Sequence, residues 1–228
     1  MNLQTATGEP LTLIIDFDST FTRVEALDEL ARIALAEHPD RDAVVGRIQA
    51  LTDRGMSGEL PVDESLRQRL QLLRAHRQHL PALIDVLQQQ VTESVKRNLD
   101  FFQFYSQDIY IVSNGFAEFI VPVVAPYGLS ASQVLANRFT FDAQDNITGL
   151  DTTLPLSRAG GKVQAVAGLG LTTEKWVIGD GYTDYEIKAA GQARQFIAFT
   201  ENVARQNVLE VADWQANSFD EIIEKIKK

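Results

Sequence analysis

Four groups of polar residues in this chain have the types and spacing to act on a phosphoryl group. The first is Asp16 and Asp18, separated by Phe17 and followed by Ser19 and Thr20. On an extended backbone, side chains two apart point to the same side, so both carboxylates can address one ligand. An aspartate oxygen can attack phosphorus, shuttle a proton at the leaving oxygen, or ligate a hard cation such as Mg²⁺. The second group is Ser113-Asn114-Gly115, a hydroxyl followed by backbone N–H groups suited to phosphoryl oxygens. The third is Lys162, which follows Gly160-Gly161 at the expected start of a helix, where a lysine opposes the helix dipole unless an anion is nearby. The fourth is Asp180 with Asp184, in Gly179-Asp180-Gly181-Tyr182-Thr183-Asp184. Taken together they are the inventory for hydrolysis of a phosphomonoester: a nucleophile, an acid/base, cation ligands and a phosphate cradle.

Three of these groups directly follow apolar runs. Leu11–Ile15, Ile109–Val112 and Trp176–Ile178 read as strands buried on both faces, as in parallel sheets covered by helices, and Gln195–Phe199 reads as a fourth. Ligands of such sheets bind just beyond the carboxyl ends of the strands, where the polar groups fall. Between the first two strands the period changes to that of helices. Val24, Leu27, Leu30 and Ala31, then Val44, Val45, Ile48 and Leu51, then Leu66, Leu70 and Leu73 keep helical spacing, with Gly55, Gly58, Pro61 and Pro81 as punctuation. Further helices are expected around Val91 to Tyr105, from Phe116 to about Ala125 and from Gly160 through Leu169. Phe139 to Ile147 carries the alternation and turn of a hairpin, and Ser218-Phe219-Asp220-Glu221 is a capping box for a last helix. The expected fold class is α/β: a doubly wound, mostly parallel sheet core, an inserted helical-bundle cap and a small β-hairpin.

Composition limits the function classes. The chain has 228 residues, 45% hydrophobic and 23% charged, enough for one core with a sizeable insertion. Its 21 Lys+Arg against 31 Asp+Glu give a net charge of −10, which repels nucleic acid and anionic membranes. A phosphorylated substrate therefore needs local cations. Cysteine is absent, which excludes disulfides, thiolate metal sites and a cysteine nucleophile. The leader up to Pro10 lacks the features of a targeting peptide, and a cytoplasmic location is the expectation. His38, His76 and His79 read as solvated residues without a metal role, and Trp176 and Trp214 as packing residues.

The four groups, in this order and with three of them at strand ends, resemble the motifs of the haloacid dehalogenase superfamily of phosphatases. The resemblance narrows to its phosphoserine phosphatases through Asp16 to Thr20 continuing to Glu25, Leu27-Asp28-Glu29-Leu30-Ala31, Met56-Ser57-Gly58-Glu59, Leu66 to Leu70, Ala136-Asn137-Arg138 and Asn202 to Gln206. It implies a core of residues 1–22 and 93–228, and a C1-type cap of residues 23–92 inserted after the first strand. It also implies hydrolysis through an aspartyl-phosphate, with L-phosphoserine as substrate. Asp16 is the implied nucleophile and Asp18 the acid/base; Asp16, Asp18 and Asp180 are the implied Mg²⁺ ligands, with Thr20 and Asp184 in support. Ser113, Asn114, Gly115 and Lys162 are implied to hold the phosphoryl group. Glu25 is implied to meet the substrate ammonium, Arg69 its carboxylate, and Met56 and Thr183 to make further substrate contacts. The implied partner is a small phosphorylated molecule, with no nucleic acid and no membrane; monomer and homodimer stay open. Asn114, where glycine is usual, together with Val62 and Tyr182, departs from the pattern, leaving room for another small phosphomonoester as substrate. A phosphate-binding regulatory protein without turnover is the alternative outside the enzymes, disfavoured because Asp18 gives a sensor nothing.

Overall fold

The computed structural model describes residues 2–228. Its strands are β1 (Leu11–Ile15), β2 (Ile109–Phe116), β3 (Val134–Asn137), β4 (Phe139–Phe141), β5 (Ile147–Leu150), β6 (Glu174–Gly179), β7 (Gln195–Phe199) and β8 (Trp214–Ala216). Six form one parallel sheet in the order β3-β2-β1-β6-β7-β8, and β4 with β5 forms an antiparallel hairpin. All five residues of β1 are buried. Their alternation builds two cores: Leu13, Ile15, Ile111, Ile178 and Ile197 face one layer, and Ile14, Val112, Val177 and Phe196 face the other.

The helices are α1 (Ala26–Ala34), α2 (Arg41–Met56), α3 (Val62–Leu73), α4 (Leu80–Gln89), α5 (Glu93–Arg97), α6 (Leu99–Phe104), α7 (Ala117–Val124), α8 (Gly161–Gly168), α9 (Tyr182–Ala189), α10 (Gln206–Leu209) and α11 (Phe219–Lys227). Helices α1 to α4 lie between β1 and β2 in sequence and cover the carboxyl end of β1. The chain enters and leaves this bundle side by side: Thr22 and Val91 form an antiparallel bridge, and Arg23 N donates to Gln90 O at 2.8 Å. The bundle is also tied to the core elsewhere. Helix α4 packs on α7, and Ile147 N donates to Ala75 O at 2.9 Å. No described helix is long and apolar enough to cross a membrane.

Several local readings need revision. The helix expected near Val91 to Tyr105 is two short ones, α5 and α6, broken at Asn98, whose side-chain amide donates to Ser94 O and to Asp220, both at 2.8 Å. The capping box of α11 is half formed: the Ser218 hydroxyl accepts from Glu221 N at 3.4 Å, but the Glu221 carboxylate accepts from Asn217 N at 3.0 Å and not from Ser218 N. His76 and His79 are not free in solvent: both are half-buried and each Nδ1 accepts a backbone N–H, from Gln78 and His76 respectively. Nε2 of His76 lies 2.7 Å from Gln144 O, fastening the bundle to the hairpin turn. Trp176 and Trp214 do pack together edge to face, 6.4 Å apart.

Candidate active site

Beyond β1 the chain turns sharply. Asp18 is extended (φ −68°, ψ 137°) and Ser19 is left-handed (φ 56°, ψ 0°), a conformation that costs a non-glycine residue roughly 1–2 kcal/mol. Three hydrogen bonds hold the turn: Thr22 N to Phe17 O at 2.9 Å, the Ser19 hydroxyl to Glu25 at 2.7 Å, and the Asn202 amide to Ser19 O at 3.1 Å. Asp16 points beyond the strand tip, its Oδ1 accepting from Phe17 N at 2.8 Å. The carboxylate of Asp18 accepts from Ala26 N at 2.7 Å, at the start of α1.

Lys162 arrives from the first turn of α8. Its Nζ is 2.8 Å from Asp16 Oδ1 and 2.8 Å from Asp184 Oδ1, which gives a lysine at a helix start the anions its position needs. Gly161 makes this placement possible: a Cβ there would lie 2.3 Å from Pro155 O and 2.7 Å from Leu156 Cα. Asp184 also accepts from Gly181 N at 3.2 Å. Asp180, at the end of β6, accepts from the Thr20 hydroxyl at 3.1 Å and is paired with Arg205. Carboxylate oxygens of Asp16, Asp180 and Asp184 all lie within 4.8 Å of one another.

Burial sets the electrostatics. It raises the Asp18 pKa well above the carboxylate range, helped by the neighbouring charges of Glu25 and Asp16. Burial likewise raises Glu25, against the pull of Ser19 and Arg69. Asp184 is pushed to about 7 by burial and by the charge of Asp16, against Lys162. For Lys162 burial works against the charge, but Asp16 and Asp184 outweigh it and the pKa is raised. The site thus sets a carboxyl whose hold on a proton is strengthened, Asp18, near a lysine whose charged form is favoured by its two carboxylate partners.

Asp16, Asp18, Glu25, Leu27, Met56, Arg69, Ser113, Asn114, Gly115 and Lys162 line one enclosed pocket of about 10 Å³, room for about one water molecule. A more open groove of about 500 Å³ adjoins it, sharing Glu25 and lined also by Arg23, Arg54 and Arg205. Gly115 N donates to Ser113 Oγ at 2.9 Å, so the Ser113 proton stays available to an acceptor in the pocket. Arg69 on α3 is buried; Nη1 donates to the Thr52 hydroxyl at 3.2 Å, and Nε has no partner.

Thr183, Asp180, Asp184 and Thr20 do not line the enclosed pocket; Thr183 is half-buried in the first turn of α9. The Asn114 side chain donates to Leu156 O at 3.1 Å and so braces the loop that leads to Lys162. Val62 and Tyr182 lie outside the pocket, Tyr182 within 4 Å of a Cβ built on Gly58. Arg205, Asn202, Asp28 and Thr52 were not singled out as site residues from sequence. Asp28 lies in Leu27–Ala31, and Asn202 and Arg205 in Asn202–Gln206, stretches that carry the family resemblance and are the one signal that could have found them.

A model of haloacid dehalogenase-like hydrolases matches residues 13–187. The phosphoserine phosphatase of Homo sapiens is 32% identical over 219 residues, 93% of this chain and 92% of that protein. The chloroplastic phosphoserine phosphatase of Arabidopsis thaliana is 29% identical, over 92% of this chain and 70% of its own length. Among solved structures, a phosphoserine phosphohydrolase-like protein from Francisella tularensis superposes with a TM-score of 0.85 at 25% identity, covering 94% of this chain and 99% of its own. A phospho-aspartyl intermediate analogue of phosphoserine phosphatase superposes over the whole of both chains with a TM-score of 0.77 at 24% identity.

Proposed function

The chain belongs to the haloacid dehalogenase-like hydrolases, and from that premise we propose that this phosphoric monoester hydrolase converts L-phosphoserine to L-serine and phosphate. The observation that carries the substrate is the pairing, in one small pocket, of Glu25 and Arg69 with Asp16, Asp18, Ser113 and Lys162. A carboxylate for an ammonium, a guanidinium for a carboxylate and a cationic cradle for a phosphate match the three charges of phosphoserine. The unpartnered Nε of buried Arg69 supports this reading, because such a donor is costly until an acceptor arrives.

In this mechanism a carboxylate oxygen of Asp16 attacks phosphorus while Asp18 gives its proton to the departing seryl oxygen. Asp18 then takes a proton from the water that cleaves the aspartyl-phosphate, releasing phosphate and restoring both carboxyl groups. Ser113, the N–H groups at Asn114 and Gly115, and Lys162 hold the phosphoryl oxygens. Three clustered carboxylates fit a hard divalent cation. Asp16 and Asp180, with the backbone carbonyl of Asp18, would hold Mg²⁺, and Thr20 and Asp184 would steady them. When bound, Mg²⁺ offsets negative charge on the phosphoryl oxygens. Residues 23–92 act as a lid over a core of residues 1–22 and 93–228. Because the pocket holds only about 10 Å³, this lid must open to admit substrate.

The test compares phosphoserine with p-nitrophenyl phosphate, which lacks both the ammonium and the carboxylate. Arg69→Ala and Glu25→Ala should each lower kcat/KM for phosphoserine about ten- to a hundredfold and affect the aryl ester far less. Wild-type enzyme that shows no preference for phosphoserine over simple alkyl phosphates would overturn the substrate.

A further inference from the structure

Behind the pocket, on the lid side, a second buried network joins three helices. Asp28 on α1 is buried at 7% exposure, yet among the described residues no cation forms an ion pair with it. Its Oδ1 accepts from the hydroxyl of Thr52 on α2 at 3.1 Å, and the same Thr52 oxygen accepts from Nη1 of Arg69 on α3 at 3.2 Å. Thr52 is itself 2% exposed. The helices meet this closely because Gly55 offers no side chain: a Cβ there would lie 2.8 Å from Ser65 Oγ on α3. Neither Asp28 nor Thr52 lines the pocket, and the hydrolysis itself uses neither.

We propose that Asp28, acting through the Thr52 hydroxyl, orients the Arg69 guanidinium and so sets selectivity for phosphomonoesters that carry a carboxylate. The inference rests on the reading of Arg69 as the carboxylate-binding group. A threonine hydroxyl has one proton, and here it has two acceptors to choose from, Asp28 and the Ile48 carbonyl at 3.2 Å. Donation to Asp28 turns a lone pair of Thr52 toward Arg69. Fixing Nη1 in this way fixes the whole planar guanidinium and leaves the unpartnered Nε able to donate to a substrate carboxylate, as two-point recognition requires. The groups around Asp28 are Glu25, Arg69, Thr52 and Arg32; burial and Glu25 push its pKa up to about 7, against Arg69 and Thr52. Asp28 and Thr52 are positioning residues.

The experiment measures kcat and KM for O-phospho-L-serine and for O-phosphoethanolamine, which keeps the ammonium and the alkyl phosphate but lacks the carboxylate. Thr52→Val should raise KM for phosphoserine more than it lowers kcat, and reduce the preference for phosphoserine over phosphoethanolamine roughly tenfold. Thr52→Ser should restore most of that preference. Asp28→Asn, which keeps an acceptor oxygen but loses the charge, should fall between. Equal losses on the two esters in Thr52→Val would show a structural role only and overturn the inference, as would an unchanged preference in both Thr52→Val and Asp28→Asn. Arg69→Ala separates the two readings. If the preference survives Arg69→Ala, the carboxylate reading itself fails and takes this inference with it; if the preference depends on Arg69 but not on Thr52 or Asp28, this inference alone fails.

Discussion

Asp16 and Asp18 sit two residues apart but carry different surroundings, and the difference suits the separate roles proposed for them. Asp16 is beside Lys162, while burial and the charge of Glu25 raise the pKa of Asp18. Asp16→Asn should therefore abolish turnover with the fold retained, checked by phosphate release and circular dichroism. Asp18→Asn should slow phosphoserine hydrolysis by roughly 10²–10⁴-fold, the usual contribution of a general acid. The defect should shrink on p-nitrophenyl phosphate, whose leaving group needs little protonation. Asp28 offers a different measurement, because its folded pKa of about 7 lies above its ordinary value of 3.8. Its contribution to stability is full below about 4 and is lost as pH rises through about 7. Asp28→Asn should accordingly raise Tm at pH 8, by roughly 2–4 °C for each kcal/mol recovered, with the gain vanishing toward pH 4. That Asp16, Asp18, Ser113 and Lys162 meet at one pocket could be expected from the sequence because each follows a strand or opens a helix. Thr52 could not, since a polar residue on a helix becomes a site residue only through what packs against it.

At the scale of elements, the start of α8 is the most constrained. Gly161→Ala would drive its Cβ into the Pro155–Leu156 backbone, and the helix must shift, taking Lys162 away from Asp16. Such overpacking typically costs about 1–3 kcal/mol; urea unfolding should show that loss, and kcat should fall with it. The inserted bundle, the proposed lid, is also not free along its whole length, since α4 packs on α7 and segment 75–79 is bonded to the hairpin. The mobile part is expected at the join of α2 and α3, near Ser57 to Leu60, beside the open groove. Hydrogen exchange there should slow when a non-hydrolysable phosphoserine analogue and Mg²⁺ bind, with α4 unchanged; equal slowing across α4 would mean that the bundle moves as one body. Long apolar strands and periodic helices were legible from their spacing. Strands β3 and β8 were not: they are four and three residues long, lack the turn signal that marks the equally short hairpin strands, and are recognisable only by the neighbours that pair with them. Asn98 broke a helix by an interaction with Asp220, 122 positions away.

Across the whole molecule, a net charge of −10 and a buried cluster of three carboxylates leave negative charge that a divalent cation, on the proposed reading, would offset. Mg²⁺ should raise Tm, by RT ln(1 + [Mg²⁺]/Kd) in free-energy terms, and Asp180→Asn should remove most of that response in a thermal melt. The alternation of strands with helices made the class of fold readable, but the strand order was not, because pairing partners share no local signal. The bridge between Thr22 and Val91 bears on how such a protein can change over generations. Since the bundle's two ends meet beyond β1, a change of length within it, away from its ties to α7 and the hairpin, can be absorbed without altering the register of any strand in the sheet. On the proposed reading, substrate range would then diverge in descendants through this one segment, while Asp16 and Asp18, which lie outside it, are inherited intact.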